Sequence, residues 1–580
     1  MSANNQQSEK MNMEQSKKVF TVAEALVAIL DVIGVDTCFG VPGGQTLPFY
    51  KAARAIGFKH VLMRDERNCA CAADAYARIT AKVGFCDATV GPGATNLLSG
   101  LAEAYASSIP VIALIADIDT GKEHLRHRGI AAQAMEQVPM LQPATKWIGR
   151  IAKPEMLMDI VGHALRIATS GRPGPVVIEV PEEVMGAPVP NFDIGRFKST
   201  DGQWPRHRSA APDGLMEQAL EQLKGAKRPI VLAGGGAMAS GAYNEVAAFA
   251  TDIGIPIVTS INGKGIVSED HPLVFGAVGI FGDVKASHAL QQADVVLVLG
   301  SKFSHFNSFA WQLPTQTQTI IHIDVDGEEL GRSIPVAIEI VADVREASRQ
   351  ILKGLNADNT TFNWLPEGEP PAQPATDKDD PAVAPEKAVT LINEVFGNNT
   401  IVVSDASLSS GWTGSWHQVC EAGRGLIAPR GAAGLGWACG AAIGAAVASP
   451  EKQIVIVTGD GAAGYWLGEL ETAARLNLSI TVMVLNNAGF GWIIQWERKM
   501  EINGQSTFVP VDFSGVGKSM GTGGARATTL DEVKAGLTQA MACKGPFVLD
   551  VLSSDIATST VEFEIFSEQK GKAGGAYGLG

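Results

Sequence analysis

The chain has 580 residues, of which 46% are hydrophobic, 18% are charged and 64 are glycines. This length exceeds what one hydrophobic core organises, so about three domains are expected, and the composition excludes disorder over most of the chain. The 61 acidic and 46 basic residues give a net charge of -15, and without a basic run this charge disfavours binding to nucleic acid.

The N-terminal segment, the cysteines and one uncharged stretch bear on cellular location. Residues 1–18 are polar and lack the apolar core of a secretory signal, so a flexible tail and a cytoplasmic protein are expected. The seven cysteines form no CxxC pair, which favours reduced thiols over disulfides or a zinc site. Residues 431–449 are uncharged but mostly Gly and Ala, so no membrane association is expected.

The first two thirds of the chain contain two blocks that alternate helical and strand patterns. The first block, 19–190, includes the runs DTCFG, SIPVIALIADI and GPVVIEVP, and a polar linker follows at 191–214. The second block, 215–355, has four strand-like runs and predicts a doubly wound sheet of its own. Its glycine cluster GGGAMASG does not fit GxGxxG, so a tight turn is the commoner outcome and a nucleotide contact the alternative.

A third block, 386–565, follows a linker at 356–385 that is rich in prolines and acids. It begins with the helical pattern PEKAVTLINEVF and continues through the strand-like runs TIVVSD, QIVIVTGDG, SITVMVLNN and PFVLDVL. A Gly-rich tail is predicted at 566–580. The predicted fold is therefore α/β, with three consecutive doubly wound parallel-sheet domains.

Polar residues end two successive strands of the third block. Gly459, Asp460 and Gly461 follow the run QIVIVT, and Asn487 closes the next run, SITVMVLNN. One helical pattern separates the two strands, so they are expected to be parallel, with their carboxyl ends at one sheet edge. Asp460, Asn487 and the main-chain oxygen of Gly489 offer oxygen ligands for Mg²⁺.

The same turn offers groups for an anion. The first N–H groups of a helix favour phosphate oxygens, and Gly461 and Ala462 stand at such a helix start. GDG alone is usually only a structural turn. The tandem asparagines that follow it, one strand-helix-strand unit later, make a metal-bridged diphosphate the favoured ligand.

This motif resembles that of thiamine diphosphate enzymes, which begins with GDG and ends with NN. The stretches FGVPGGQTLPFY (39–50), GPGATN (91–96), SGRPGPVVIEVP (170–181) and GWIIQWE (491–497) resemble acetolactate synthases and their relatives. The resemblance implies an enzyme that makes or breaks a C–C bond next to a carbonyl, using thiamine diphosphate and Mg²⁺, with a 2-ketoacid as substrate. It also implies a homodimer or homotetramer.

The resemblance also assigns individual residues. It implies that Glu66, after Arg64 and Asp65, hydrogen-bonds the aminopyrimidine ring, although a carboxylate at a helix start is the structural alternative. Gln133 matches the active-site glutamine. Leu435 matches the residue that props the cofactor, and Trp496 one that shapes the acceptor pocket, although either is equally consistent with a core side chain. The remaining cofactor-binding positions are Gly43, Gly44, Gly459 and Trp492.

The sequence departs from acetolactate synthases at several places. Phe306 stands where they have an arginine that binds the second ketoacid's carboxylate. Because an apolar ring cannot hold a carboxylate, a neutral aldehyde, ketone or thioester is expected as acceptor, unless Lys302 or His305 replaces that arginine. The residues that bind FAD in that family are not visible, so neither FAD nor ADP is expected in the central domain.

Three alternatives follow from these departures. One is a 2-hydroxyacyl-CoA lyase, which acts on an acyl-CoA. Another is a benzaldehyde-lyase-like enzyme, which acts on a 2-hydroxyketone and similarly has an aliphatic residue, here Ala132, before the glutamine. The third is a non-catalytic paralogue that only binds the cofactor. Intact Glu66, Asp460 and Asn487 argue against the last, since binding alone gains nothing from an activating carboxylate.

Overall fold

The computed structural model describes residues 19–502 and 504–562, so the predicted tails at 1–18 and 566–580 lie outside the described residues. Within those ranges the chain forms three six-stranded sheets. Every strand pairing in them is parallel, and helices connect the strands. The predicted α/β class with three successive parallel sheets is confirmed.

The first sheet is built from the N-terminal third of the chain. Its strands are β1 (Thr37–Gly40), β2 (Lys59–Leu62), β3 (Gly84–Ala88), β4 (Val111–Asp117), β5 (Trp147–Arg150) and β6 (Val176–Pro181). Its helices are α1 (Val22–Val32), α2 (Leu47–Ile56), α3 (Glu66–Thr80), α4 (Pro92–Ser107), α5 (Gln137–Leu141), α6 (Leu157–Thr169) and α7 (Glu182–Met185). The strand order is β2-β1-β3-β4-β6-β5. The chain reverses direction across the sheet between β1 and β3, and ligands favour such switch points.

The second sheet follows. Its strands are β7 (Pro229–Ala233), β8 (Ile257–Thr259), β9 (Val274–Ala277), β10 (Val295–Leu299), β11 (Thr319–Asp324) and β12 (Ile338–Val341). Its helices are α8 (Asp213–Gly225), α9 (Gly235–Ser240), α10 (Tyr243–Thr251), α11 (Val284–Gln292) and α12 (Val344–Ala357). The strand order is β12-β11-β10-β7-β8-β9, with the switch point between β7 and β10.

The third sheet completes the described chain. Its strands are β13 (Thr400–Ser404), β14 (Leu426–Ile427), β15 (Gln453–Gly459), β16 (Ile480–Asn486), β17 (Gly523–Ala527) and β18 (Phe547–Leu552). Its helices are α13 (Pro385–Phe396), α14 (Leu408–Trp416), α15 (Ala438–Ala448), α16 (Asp460–Ala463), α17 (Glu469–Arg475), α18 (Gly491–Lys499), α19 (Phe513–Ser519) and α20 (Leu530–Ala542). The order β14-β13-β15-β16-β18-β17 puts the switch point between β13 and β15.

The sequence of the strands explains their burial. All seven residues of β4 and of β16 are buried, as expected for parallel strands that are covered by helices on both faces. The uncharged stretch around residue 440 forms α15, in which Gly and Ala permit close packing. Among the described residues, no helix combines the length and the apolar character needed to cross a membrane.

The described chain divides into two compact units. One comprises the residues up to 73 together with 82–206, and it holds the first sheet. The other comprises 74–81 and the residues from 207 onward, and it holds the second and third sheets.

The glycine cluster of the central block lies at the switch point of the second sheet. The N–H of Gly236, in the first turn of α9, donates to the carbonyl of Gly300 at 2.8 Å. A Cβ at Gly234 would lie 2.2 Å from that same oxygen, so the two turns pack main chain against main chain. This contact uses an N–H that a phosphate would require, which favours the interpretation of the cluster as a tight turn.

Candidate active site

The third sheet brings the predicted metal ligands to one edge. Asp460 begins α16 directly after β15, and Asn487 follows the last residue of the neighbouring strand β16. Only 5% of Asp460 is exposed. Burial raises the pKa of its carboxyl to about 6, against the opposing effect of nearby main-chain N–H groups, chiefly that of Gly461. A buried acid at a ligand-binding edge is typical of a functional group that needs a partner.

The side-chain amide of Asn487 lies against two oxygen atoms at this edge. The side-chain oxygen of Asn487 lies 2.9 Å from the carbonyl oxygen of Gly489 and 3.2 Å from Oδ1 of Asp460. Such spacings have two explanations: the amide is turned over and donates to both oxygens, or the three oxygens face a common cation. Adjacent ligands of an octahedral Mg²⁺ at ~2.1 Å lie about 3.0 Å apart, so the residues present fit this ion.

A cavity of about 430 Å³ opens beside these oxygens. It is lined by most of the residues predicted for the cofactor and the substrate, namely Phe306, Leu435, Gly459, Asp460, Gly461, Ala462, Asn487, Gly489 and Trp492. Trp496 is not among its lining residues. The Lys499 ammonium lies 5.0 Å from the centre of the Trp496 ring. The structure therefore brings all but one of the residues predicted for this sheet to one cavity.

Asp405 is a buried acid that the sequence analysis missed. It follows β13 at the switch point and accepts hydrogen bonds from the N–H of Ala406 (2.8 Å) and of Gly436 (3.0 Å). The Thr458 hydroxyl and the Trp466 indole N–H also donate to it, at 3.3 and 3.4 Å. Burial raises the pKa of this carboxyl. Asp405 thereby ties the loop that carries Leu435 to the end of β15.

Arg430 is the second residue that the sequence analysis missed. Its guanidinium lies 4.6 Å from the ring centre of Phe306, and it lines the cavity. Lys302 and His305, the replacements that the sequence offers for the missing arginine, are not among the residues that line this cavity, whereas Arg430 is. The expectation of a neutral acceptor stays a prediction.

The first sheet positions Glu66 at the start of α3. The residue is 8% exposed, and the side-chain amide of Asn96, on α4, donates to its Oε2 at 2.9 Å. A Cβ at Gly93 would lie 3.2 Å from Oε1, so glycine permits the approach of α4. Asn96 fixes one carboxyl oxygen, while the helix start accommodates the negative charge.

The loop with Gln133 packs against the turn before α4. Gln133 has φ of +62° and is exposed. A Cβ at Gly91 would lie 2.0 Å from the Gln133 carbonyl oxygen, and the Gly91 N–H donates to the side chain of Gln137 at 3.0 Å. Gln137 thus holds the turn at Gly91, against which the Gln133 loop packs. No sequence pattern indicated this role.

The predicted glycines of the first sheet lie at its own switch point. Gly44 begins a 3-10 turn after β1, and Gly43 precedes it. A Cβ at Gly43 would lie 2.1 Å from the hydroxyl of Thr89, which follows β3. The chain at Gly43 therefore passes too close to the end of β3 for any side chain.

A buried carboxyl on β3 makes the stability of this unit depend on pH. Asp87 accepts hydrogen bonds from the Tyr50 hydroxyl at 2.7 Å and the Cys38 thiol at 3.1 Å. Burial raises the pKa of Asp87 from 3.8 to about 7, and the charge of Glu66 adds to the rise. Between these pH values the folded state keeps a proton that the unfolded chain releases, so stability falls as the pH rises.

Asp87→Asn should remove this pH dependence. We expect the melting temperature of the variant to rise relative to wild type between pH 5 and 8, corresponding to about 2 to 3 kcal/mol of stability. The exposed Asp31→Asn, in the same unit, is the matched control and should track wild type. A constant difference between the Asp87→Asn and wild-type melting temperatures across this range would contradict the assignment.

Three family models match the chain in sequence order. The thiamine pyrophosphate enzyme N-terminal TPP binding domain matches residues 20–140, the central domain 216–351, and the C-terminal TPP binding domain 405–551. Thiamine pyrophosphate is thiamine diphosphate, so these matches, together with the three parallel sheets, define a thiamine diphosphate-dependent enzyme.

Whole-chain relatives narrow this class. The probable acetolactate synthase large subunit of Methanocaldococcus jannaschii is 33% identical over 556 residues, covering 91% of each chain. That of Methanococcus aeolicus is 32% identical over 568 residues, again covering 91% of each. The acetolactate synthase of Arthrospira platensis is 31% identical over 571 residues, covering 93% of this chain and 95% of the relative. The chain belongs to the acetolactate synthase-like family of thiamine diphosphate enzymes, which make or break C–C bonds.

Proposed function

We propose that this enzyme is a Mg²⁺-dependent carboligase or decarboxylase that acts on a 2-ketoacid. The observation that carries the proposal is the position of Asp460, Asn487 and Gly489 at one sheet edge, where all three line a largely apolar cavity. The names of the relatives support the substrate class, because acetolactate is made from a 2-ketoacid. When bound, thiamine diphosphate supplies the electron sink that lets a carbonyl carbon act as a nucleophile.

The residues at the third-sheet edge would hold the charged end of the cofactor. Asp460, Asn487 and the Gly489 carbonyl would supply three oxygens to Mg²⁺, leaving its other positions to phosphate oxygens and water. At the start of α16, the main-chain N–H of Gly461 donates to Asp460, and that of Ala462 would favour the same phosphates by its position in the fold. Leu435 and Trp492 contribute apolar wall to the cavity.

Glu66 and Gln133 would act at the reacting end. With Oε2 fixed by Asn96, Glu66 has Oε1 to share a proton with the aminopyrimidine ring. This proton sharing would promote deprotonation of the thiazolium carbon. Gln133, exposed on its fixed loop, would donate or accept a hydrogen bond at the substrate.

We also propose that the enzyme is at least a homodimer. Tyr465, Phe508, Val509 and Val511 line an apolar recess together with Asp460 and Gly461. Val509 is 82% exposed and Phe508 41% exposed in the single chain. Large exposed apolar groups beside a functional site are typical of a surface that another chain covers.

The state of the cysteines supports a cytoplasmic location, which we propose. All seven, Cys38, Cys69, Cys71, Cys86, Cys420, Cys439 and Cys543, lie in the described part of the chain as free thiols. Free thiols persist in a reducing compartment, whereas oxidising compartments favour disulfides.

A product assay tests the proposed reaction. Protein reconstituted with thiamine diphosphate and Mg²⁺ would be incubated with 2-ketoacids, 2-hydroxyketones and 2-hydroxyacyl-CoAs, and CO₂, aldehydes and hydroxyketone products would be measured. We expect CO₂ release and C–C ligation with a 2-ketoacid. Turnover of only the hydroxyketones or only the CoA esters would replace the proposal with one of the lyases.

A further inference from the structure

The cavity carries one charge of each sign. Among the described residues that line it, Asp460 is the only acid and Arg430 the only base. Asp460 faces the oxygens that fit a metal ion, whereas Arg430 lies in the loop that follows β14. The rest of the lining is apolar side chains, main chain, Asn487 and a few serines. An anion that enters the cavity beyond the metal position therefore meets a single cationic side chain.

Aromatic rings hold Arg430 in place. Its guanidinium lies 4.6 Å from the ring centre of Phe306 and 5.0 Å from that of Phe281. The two rings are stacked, with centres 5.2 Å apart and an interplanar angle of 15°. Trp492 meets Phe281 edge to face at 5.2 Å. Cation–π attraction at these distances holds the guanidinium against the rings, and the planar fork of N–H groups of an arginine can bind a carboxylate in the two-pronged manner.

Phe306 marks the place where the family resemblance implies a carboxylate-binding arginine. In this chain the positive charge belongs to Arg430, which lies on a different loop of the same compact unit, and its guanidinium contacts the ring of Phe306. A cation at this place is needed, because a carboxylate buried among apolar groups without a partner costs several kcal/mol.

The chemistry distinguishes which substrate Arg430 serves. A donor 2-ketoacid must lose its carboxylate as CO₂, and a cation that stabilises this carboxylate in the ground state would raise the barrier to its loss. An acceptor 2-ketoacid retains its carboxylate throughout, from substrate binding to product release. A fixed cation in the cavity wall therefore suits the acceptor.

We propose that Arg430 binds the carboxylate of an acceptor 2-ketoacid, which makes it a specificity-determining residue. This inference rests on the proposed function. In the reaction, the bond to CO₂ breaks in the donor, and a bond forms between its carbonyl carbon and that of the acceptor. The acceptor's carbonyl oxygen takes up one proton. Two 2-ketoacids and one proton thus give one 2-acyl-2-hydroxy acid and CO₂.

Equilibrium binding of a non-reacting probe tests this proposal. Lactate has a carboxylate but lacks the keto group at which the reaction occurs. Methyl lactate is its uncharged ester. Their dissociation constants would be measured on the holoenzyme through the fluorescence of Trp412 and Trp492, which line the cavity. The variants are Arg430→Met, Arg430→Lys and, as matched control, Arg475→Met, an exposed residue paired with Glu471 at the surface.

We expect wild type and Arg475→Met to prefer lactate to the ester by about 10- to 100-fold, the range of charge-assisted hydrogen bonds. Arg430→Met should lose this preference, Arg430→Lys should keep part of it, and thiamine diphosphate affinity should change less than about threefold. A preference that survives Arg430→Met would overturn the proposal. A tenfold loss of cofactor affinity would also overturn it, by assigning the guanidinium to the diphosphate.

Turnover of pyruvate by the wild type separates the two proposals. If pyruvate is turned over but the lactate preference does not depend on Arg430, the inference fails and the proposed function stands. If no 2-ketoacid is turned over but the preference depends on Arg430, the proposed function fails and the carboxylate site stands.

Discussion

Glu66→Gln should slow proton exchange at the thiazolium carbon of bound thiamine diphosphate by on the order of 10² or more, the scale for loss of a positioned acid or base. The amide retains the volume of the carboxylate and an oxygen that accepts from Asn96. It cannot share a proton with the aminopyrimidine ring as a carboxyl does. Cofactor affinity should therefore stay within about tenfold of wild type. Quenched hydrogen-deuterium exchange followed by NMR measures the rate directly.

The exposed Glu155→Gln, in the same compact unit, is the matched control and should exchange at the wild-type rate. A Glu66→Gln enzyme that also exchanges at the wild-type rate would reassign Glu66 to a purely structural role at the start of α3. A loss of cofactor affinity without a change in the exchange rate of the saturated enzyme would point the same way.

Asp460→Asn should reduce the affinity for Mg²⁺ together with thiamine diphosphate by at least about 10², because it removes the one charged ligand of the proposed set. Turnover at fixed cofactor should fall accordingly. The melting temperature of the stripped protein should hold or rise, since burial disfavours the charged carboxylate and an amide carries no charge. Calorimetry of cofactor binding and a thermal melt measure the two effects.

The surface variant Asp531→Asn serves as control for Asp460→Asn and should leave both quantities unchanged. An Asp460→Asn enzyme with wild-type affinity would remove this residue from the proposed metal site. A large fall in the melting temperature would show that Asp460 mainly supports the fold.

The edge that gathers Asp460 and Asn487 was predictable because it depends on local order in the chain. Two strands joined by a helical segment, as β15 and β16 are by α16 and α17, pair in parallel, so Asp460 and Asn487 reach the same edge of the sheet. The helix α13 was likewise visible in PEKAVTLINEVF, whose bounds Pro385–Phe396 it matches. The metal role of these residues remains a proposal.

Asp405 and Arg430 escaped prediction for two physical reasons. Asp405 matters because it lies at the switch point between β13 and β15. Local sequence patterns do not reveal the order of strands across a sheet, so they could not indicate this position. Arg430 follows a strand of two residues, in a Gly- and Ala-rich loop without periodicity. Its contact with Phe306 joins parts of the chain that are distant in sequence. The resemblance points to position 306 and its near neighbours Lys302 and His305, so it does not reach a charge supplied from another loop.

Trp496 lies apart from the other residues predicted for the third sheet. It stands four residues after Trp492 on α18. The cavity ends within that one turn, at Trp492 and Ile493, and Trp496 meets Lys499 beyond it. Its role in shaping an acceptor pocket remains a prediction from the family resemblance.

The most direct test of the central claim is calorimetric titration of thiamine diphosphate into protein stripped of cofactor and metal. We predict binding with Mg²⁺ present that weakens by at least about 10² when a chelator replaces the ion, because Asp460, Asn487 and Gly489 meet the diphosphate only through a cation. Equal affinity with and without a divalent ion would contradict the metal-bridged site.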